Sequence, residues 1–194
     1  MIAVVNYGGG NLKSITNMLE KLDFEYIVTD KEEEILSAKK VIFPGQGHFE
    51  QSMNAIKEKK LDIAIKKAIE AKIPFFGICV GLQVLFEGSE EAPNVDGLGV
   101  FKGKVVKYTQ GKVPQIGWNK LKTTENNTFL TDDYYYFVNS YYVQPEDPSI
   151  VSAYANYHND FAAAIEKDNV IATQFHTEKS GQVGFDTLKK WLNS

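Results

Sequence analysis

The sequence predicts a three-layer α/β domain spanning residues 1–194, with a largely parallel central sheet and an antiparallel extension. Three observations predict it. In the first half, short apolar runs alternate with helical stretches, the pattern of parallel strands buried on both faces. From Leu98 to Thr173 the pattern turns β-rich, and one helix then closes the chain. No fixed-period repeat, low-complexity tract or linker divides the sequence, and its length suits one domain.

The elements follow in order. Ile2 to Asn6 reads as a strand that ends in Gly8-Gly9-Gly10, and Asn11 to Leu22 as an amphipathic helix. Tyr26 to Thr29 is a second strand, Glu32 to Ala38 a helix, and Val41 to Phe43 a third strand ended by Pro44-Gly45. Helices at Phe49 to Lys57 and Leu61 to Lys72 precede a strongly apolar fourth strand, Pro74 to Ile78, and a helix from Val80 to Glu87. The β-rich part divides into Val100 to Tyr108, Gln115 to Thr123, Tyr134 to Val143, Val151 to Tyr157, Phe161 to Glu166 and Val170 to Phe175. A helix from Val183 to Leu192 completes the chain.

Composition excludes several functions. All 21 basic residues are lysine, and the formal net charge is -4. Without arginine, the residue that reads guanine and clamps phosphate, an acidic chain is a poor nucleic-acid binder. The lysines at 57, 59, 60, 66 and 67 sit among acidic residues and read as a solvated helix face. Cys79 is the single cysteine, so no intramolecular disulfide forms, which fits a reducing compartment. One Cys and three scattered His make no zinc site, and no metal is expected. No apolar stretch approaches the ~20 residues that span a bilayer, and the N-terminus lacks a signal-peptide pattern. The expected location is cytoplasmic.

Chemistry concentrates at Cys79. Gly77-Ile78-Cys79-Val80-Gly81 joins the apolar fourth strand to a helix, the thiol counterpart of the strand-turn-helix nucleophile elbow. The glycines suit a tight turn, the helix N-terminus favours thiolate, and the Val80 N–H points where an oxyanion would form. A lone cysteine is more often a buried, inert one, but strand, elbow glycines and helix coincide here. The candidate bases are His48, His158 and His176. His158 lies in a polar hairpin turn, and His48 at a strand-to-helix junction. His176 ends an apolar run, and Glu178, two residues on in an extended chain, points to the same side and orients the ring. Gly8-Gly9-Gly10-Asn11 also looks like a phosphate loop, but no acidic residue stands in the ribose-binding context.

At these residues the chain resembles the class I (triad) glutamine amidotransferases, with a flavodoxin-like three-layer domain. The matching pieces include Asn6 to Ser14, Pro44 to Phe49, Gly77 to Gln83, Leu85 to Glu91, Pro114 to Asn119, Tyr136 to Tyr142 and Gln174 to Gly181. Ile116-Gly117-Trp118-Asn119 and Phe137-Val138-Asn139-Ser140-Tyr141-Tyr142 single out a branch whose ammonia passes to a (βα)8-barrel cyclase in histidine biosynthesis. The resemblance implies that Cys79 attacks the side-chain amide of L-glutamine, with His176 as base and Glu178 as its orienter. It implies an oxyanion loop of Gly45, Gln46 and Gly47 beside Val80, and glutamine held by Gln83 and the Asn139-Ser140-Tyr141 backbone. It implies a heterodimer docked through Tyr7, Asn11, Trp118, Tyr136 and Lys179, with no cofactor. The family usually has Pro where this chain has Thr177, and commonly His, Asp and Val in place of Asn139, Asn6 and Gln46. The alternative readings are a divergent copy serving another synthase, such as one that modifies surface sugars, a catalytically silent partner subunit, or a stand-alone cysteine hydrolase or chaperone-like protein.

Overall fold

A computed structural model describes residues 1–194. The strands are β1 (Ile2–Val5), β2 (Tyr26–Thr29), β3 (Lys40–Gly45), β4 (Phe75–Cys79), β5 (Gly88–Ser89), β6 (Ala92–Asp96), β7 (Gly103–Lys107), β8 (Gln115–Thr123), β9 (Tyr134–Asn139), β10 (Tyr141–Pro145), β11 (Val151–Asn156), β12 (Asp160–Lys167) and β13 (Val170–Thr173). The helices are α1 (Leu12–Lys21), α2 (Glu32–Leu36), α3 (Phe49–Glu58), α4 (Leu61–Glu70), α5 (Val80–Gln83) and α6 (Gly181–Leu192).

The sheet runs β2-β1-β3-β4-β13-β12-β10-β7-β5-β6. The first five strands are parallel, and β12, β10 and β7 continue it antiparallel, as expected. Every residue of β1, β4 and β13 is buried, which is why these strands read as unbroken apolar runs. A side branch leaves β12 through β11 to β8 and ends at β9. The main core joins the parallel strands to the helices, and a smaller aromatic core under the branch contains Tyr108, Tyr135, Phe137, Phe161 and Phe175. No helix is long and apolar enough to cross a membrane.

Four expectations need correction. The expected strand Tyr134 to Val143 breaks at Ser140, where the chain changes partners: β9 pairs with β8, and β10 with β7 and β12. The expected helix Val80 to Glu87 stops at Gln83, and the next turns are the tighter kind, with the Leu85 and Phe86 amides donating to the Leu82 and Gln83 carbonyls. β3 runs on through Pro44 and Gly45. Its pairing with β1 ends at Ile42, so Pro44 lies where one side of β3 has no neighbour. The short strands β5 and β6 were not foreseen. They hold Pro93, Asn94 and Asp96 and carry no apolar alternation.

The order of the sheet positions the chemistry. β4 lies between β3 and β13, with Cys79 opposite Gly45 and Ile78 opposite Thr173. Three loops therefore meet at the carboxyl edge of the parallel strands, the usual place for a site in such sheets.

Candidate active site

Cys79 sits at the turn from β4 into α5 with φ +54° and ψ -108°. A non-glycine residue in that conformation is strained, and such strain persists only where surrounding packing imposes it. The packing is visible in the glycines. A Cβ on Gly77 would lie 2.8 Å from the Gly81 carbonyl oxygen, and one on Gly81 would overlap the Phe43 carbonyl oxygen. The elbow is pressed against β3, so a side chain at 81 would push it away, and one at 77 would collide with the elbow itself and with Ala172 of β13. Gly45 has the same cause, since its Cβ would overlap the Gly81 amide.

His176 is 2% exposed, and its Nδ1 lies 2.7 Å from Glu178 Oε1. The expected contact is present, but its geometry differs from the one anticipated. Thr177–Lys179 is a single 3₁₀ turn, so Glu178 reaches the ring by curling back rather than by strand alternation. With Nδ1 engaged, Nε2 is the nitrogen left for the sulfur. Burial works against a charged ring. The Cys79 charge, a hydrogen bond to the sulfur and the Glu178 carboxylate outweigh it, and the His176 pKa rises to about 10. The favoured state of the His176 ring is therefore the imidazolium. α5, which begins at the residue after Cys79, is a single turn of four residues. His158 is exposed, and exposed His48 borders the same cavity as the pair with its Nδ1 on Glu91 rather than on the sulfur.

Beside Cys79 lies a cavity of about 310 Å³. Its lining includes Gln46, Gly47, Val80, Gln83, Asn139, Ser140, Tyr141, His176 and Lys179, all singled out in the sequence. Gly45 lies behind them, in register with Cys79. Gln83 Nε2 donates to the Tyr141 carbonyl at 3.1 Å and to Gln174 Oε1 at 3.0 Å, which leaves its own oxygen for a ligand. Asn139 Nδ2 donates to Tyr108 Oη at 3.1 Å and to the Tyr141 carbonyl at 3.0 Å, while its buried Oδ1 has no partner. The Gln46 N–H, expected as an oxyanion donor, donates instead to Tyr7 Oη at 3.2 Å.

Two residues at the site escaped the sequence reading. Glu91 is the one carboxylate lining the cavity. Its Oε2 accepts from the Phe49 N–H at 2.8 Å, and its Oε1 lies 3.0 Å from His48 Nδ1. Gln174, wholly buried, places Nε2 3.7 Å from Cys79 Sγ. Its proximity to His176 in sequence was the one signal available.

The expected docking residues divide. Tyr7 is only 3% exposed, so its ring is core and cannot meet a partner directly; this corrects the expectation. Asn11 and Lys179 are half-buried. Trp118 is 55% exposed and packs edge-on against half-buried Tyr136, with ring centroids 5.8 Å apart. The Tyr136 carbonyl accepts the His176 N–H at 2.9 Å, and the Tyr136 N–H donates to Ser180 Oγ at 2.9 Å. This aromatic pair is thus joined through the backbone to the segment that carries His176. No three His, Cys, Asp or Glu side chains cluster as a metal site requires.

A strained cysteine at a strand-helix elbow, facing a buried His–Glu pair at the carboxyl edge of a parallel sheet, is the arrangement of a cysteine-nucleophile enzyme site. The family model for class-I glutamine amidotransferases matches residues 3–190, and the chain belongs to that family. Among its relatives, imidazole glycerol phosphate synthase subunit HisH of Dehalococcoides mccartyi is 46% identical, over 100% of this chain and 95% of that protein. Subunit HisH 1 of Methanococcus maripaludis is 40% identical, over 99% and 98%. A solved glutamine amidotransferase covers 99% of this chain and 97% of its own with a TM-score of 0.78 at 19% identity, a likeness of fold.

Thr177 stands where the resemblance leads to an expectation of proline. It is wholly buried, and its Oγ1 has no hydrogen-bond partner. As the first residue of a helical turn it contributes no N–H to that turn, and His176 before it is extended at φ -88° and ψ 102°, a conformation that proline tolerates in its predecessor. Thr177→Pro is expected to change glutaminase kcat/KM by less than about tenfold, or ~1.4 kcal/mol. It should raise Tm by roughly 2–4 °C, because it removes an unsatisfied hydroxyl and stiffens the unfolded chain. Steady-state kinetics and a thermal melt check both, and a collapse of activity would mean that the turn requires threonine.

Proposed function

We propose that this chain is the glutaminase subunit of imidazole glycerol phosphate synthase, supplying ammonia for histidine biosynthesis. The observation that carries the chemistry is Cys79, held strained at the elbow against the buried His176–Glu178 pair. The names of full-length relatives support the pathway.

The residues assign the steps. Cys79 thiolate attacks the side-chain amide carbon of L-glutamine, and the oxyanion forms near the Val80 N–H. His176 gives its proton to the leaving nitrogen, the C–N bond breaks, and a glutamyl thioester and ammonia result. His176 then takes a proton from water, which attacks the thioester and releases glutamate and the thiolate. Glu178 fixes the tautomer throughout. Gln83, Asn139, Ser140 and Tyr141 border the substrate, and Glu91 offers the carboxylate that an α-ammonium requires. The thiol performs the reaction, so no cofactor is needed. One catalytic domain, residues 1–194, works in the cytoplasm.

Ammonia passes to a (βα)8-barrel cyclase that docks on the face bearing Trp118, Tyr136, Asn11 and Lys179. Exposed aromatic residues of this kind are common interface anchors. The Gln46 N–H bound to Tyr7 supports a subunit at rest, since one oxyanion donor is turned to another acceptor. A missing donor costs about 10²–10³-fold in rate. The purified chain is therefore expected to hydrolyse glutamine about 10²–10³-fold more slowly than its complex with the cyclase and cyclase ligand, and Trp118→Ala should weaken the complex by roughly 30-fold or more. Full-rate turnover by the chain alone would sink the gating. The function itself is tested by co-expression with the cognate cyclase in a histidine auxotroph lacking its own glutaminase subunit: growth without histidine is expected, and its absence, with glutaminase activity intact, would point to another acceptor.

A further inference from the structure

We infer that Gln174 is a further residue of the reacting centre: its carboxamide N–H donates to the Cys79 sulfur and, with His176, holds it as an oriented thiolate. This rests on the reading of Cys79 as the nucleophile.

The two ends of a glutamine amide look alike, so hydrogen-bond polarity must decide which faces the sulfur. The decision starts from a backbone atom. The Tyr141 carbonyl can only accept, so the group of Gln83 lying 3.1 Å from it is the nitrogen. The same nitrogen lies 3.0 Å from the Gln174 amide, whose facing end must therefore be its oxygen. The other end, the NH₂, is left pointing at Cys79 Sγ, 3.7 Å away. Reversing either amide would set N–H against N–H or oxygen against oxygen in a buried space. Asn139 Nδ2 also donates to the Tyr141 carbonyl, which fixes that end of the chain further.

The sequence places Gln174 here for a simple reason. β13 pairs with β4 up to Thr173 opposite Ile78, so the next residue of each strand emerges at the same edge. Gln174 is wholly buried, and water cannot replace its donor. A neutral thiol is a weak acceptor and a thiolate a strong one, so a buried N–H aimed at the sulfur favours the charged form. The other ionisable groups near the sulfur are His176 with Glu178 behind it and Tyr7 from the β1 side, with His48, Glu91 and Lys179 around the cavity.

The test uses the whole chain and needs no turnover. Cys79 is the one cysteine, so iodoacetamide alkylation reports it alone. Gln174→Met keeps the bulk and removes the donor. The pH midpoint of alkylation should rise by roughly one to two units, the worth of a hydrogen bond to a charged group. Gln174→Glu, which offers an acceptor in place of the donor, should raise it at least as far. A folded Gln174→Met variant whose midpoint moves by less than about 0.3 unit overturns the inference. Should that variant fail to fold, the side-chain NH₂ resonances of Gln174 in the unsubstituted chain decide. They are expected to titrate with Cys79 and to shift on its alkylation, and invariance would overturn the role. A wrong nucleophile assignment would show itself separately, as glutamine hydrolysis that survives Cys79→Ala.

Discussion

Cys79→Ala abolishes glutamine-dependent synthesis by the complex and leaves synthesis from added ammonium salt within about twofold of normal; this is the expected result. No other thiol exists to replace the nucleophile, and removing a triad nucleophile can cost on the order of 10⁶-fold. On the proposed function, ammonia added in solution bypasses the glutaminase site, so only the supply is lost. The measurement is product formation with glutamine and, separately, with ammonium. Glutamine-driven turnover in Cys79→Ala would show that the nucleophile is misassigned. The strain at Cys79 gives a second readout. Alanine inherits φ +54°, whereas glycine adopts it freely, so Cys79→Gly should be more stable than Cys79→Ala by roughly 1 kcal/mol. Equal melting of the two variants would mean that the elbow stores no strain.

His176→Ala is expected to lower kcat/KM for glutamine by about 10³–10⁴-fold, because the proton carrier for both half-reactions is gone. Glu178→Gln should cost less, about 10–10²-fold, since it weakens the hold on the ring but leaves the ring in place. The pH profile separates the two roles. Thiolate and Glu178 together raise the His176 pKa to about 10. The imidazolium that, on the proposed mechanism, protonates the leaving nitrogen is therefore retained as pH rises past the ordinary histidine range and lost toward pH 10. Glu178→Gln removes one of the groups that raise it, so the alkaline limb should move to lower pH. An alkaline limb that stays where it is in Glu178→Gln would mean that this carboxylate does not control the proton on His176.

Much of this was legible from residue order alone. β1, β4 and β13 announce themselves because strands buried on both faces must be apolar throughout. The elbow was legible because strand, small residues and turn are adjacent in the chain, although the packing that requires glycine at 81 comes from Phe43 on the neighbouring strand. Ser140, where one aromatic run divides between two sets of partners, was not legible, because either half alone is a good strand. Nor was the 3₁₀ turn at Thr177: a short segment follows the contacts around it more than its own propensity.

The sequence by itself determined the parallel core and singled out the candidate nucleophile, base and orienter, because each depends on apolar pattern or on neighbours a few residues apart. The tertiary structure decided the rest. It brought Glu91 into the cavity and Gln174 onto the sulfur, buried Tyr7 beneath the Gln46 amide, and left Trp118 in solvent. These contacts join residues 39 to 95 positions apart where they are hydrogen bonds. Such pairings follow from the order of strands in the sheet and from the path of the loops that leave it, which no local pattern encodes.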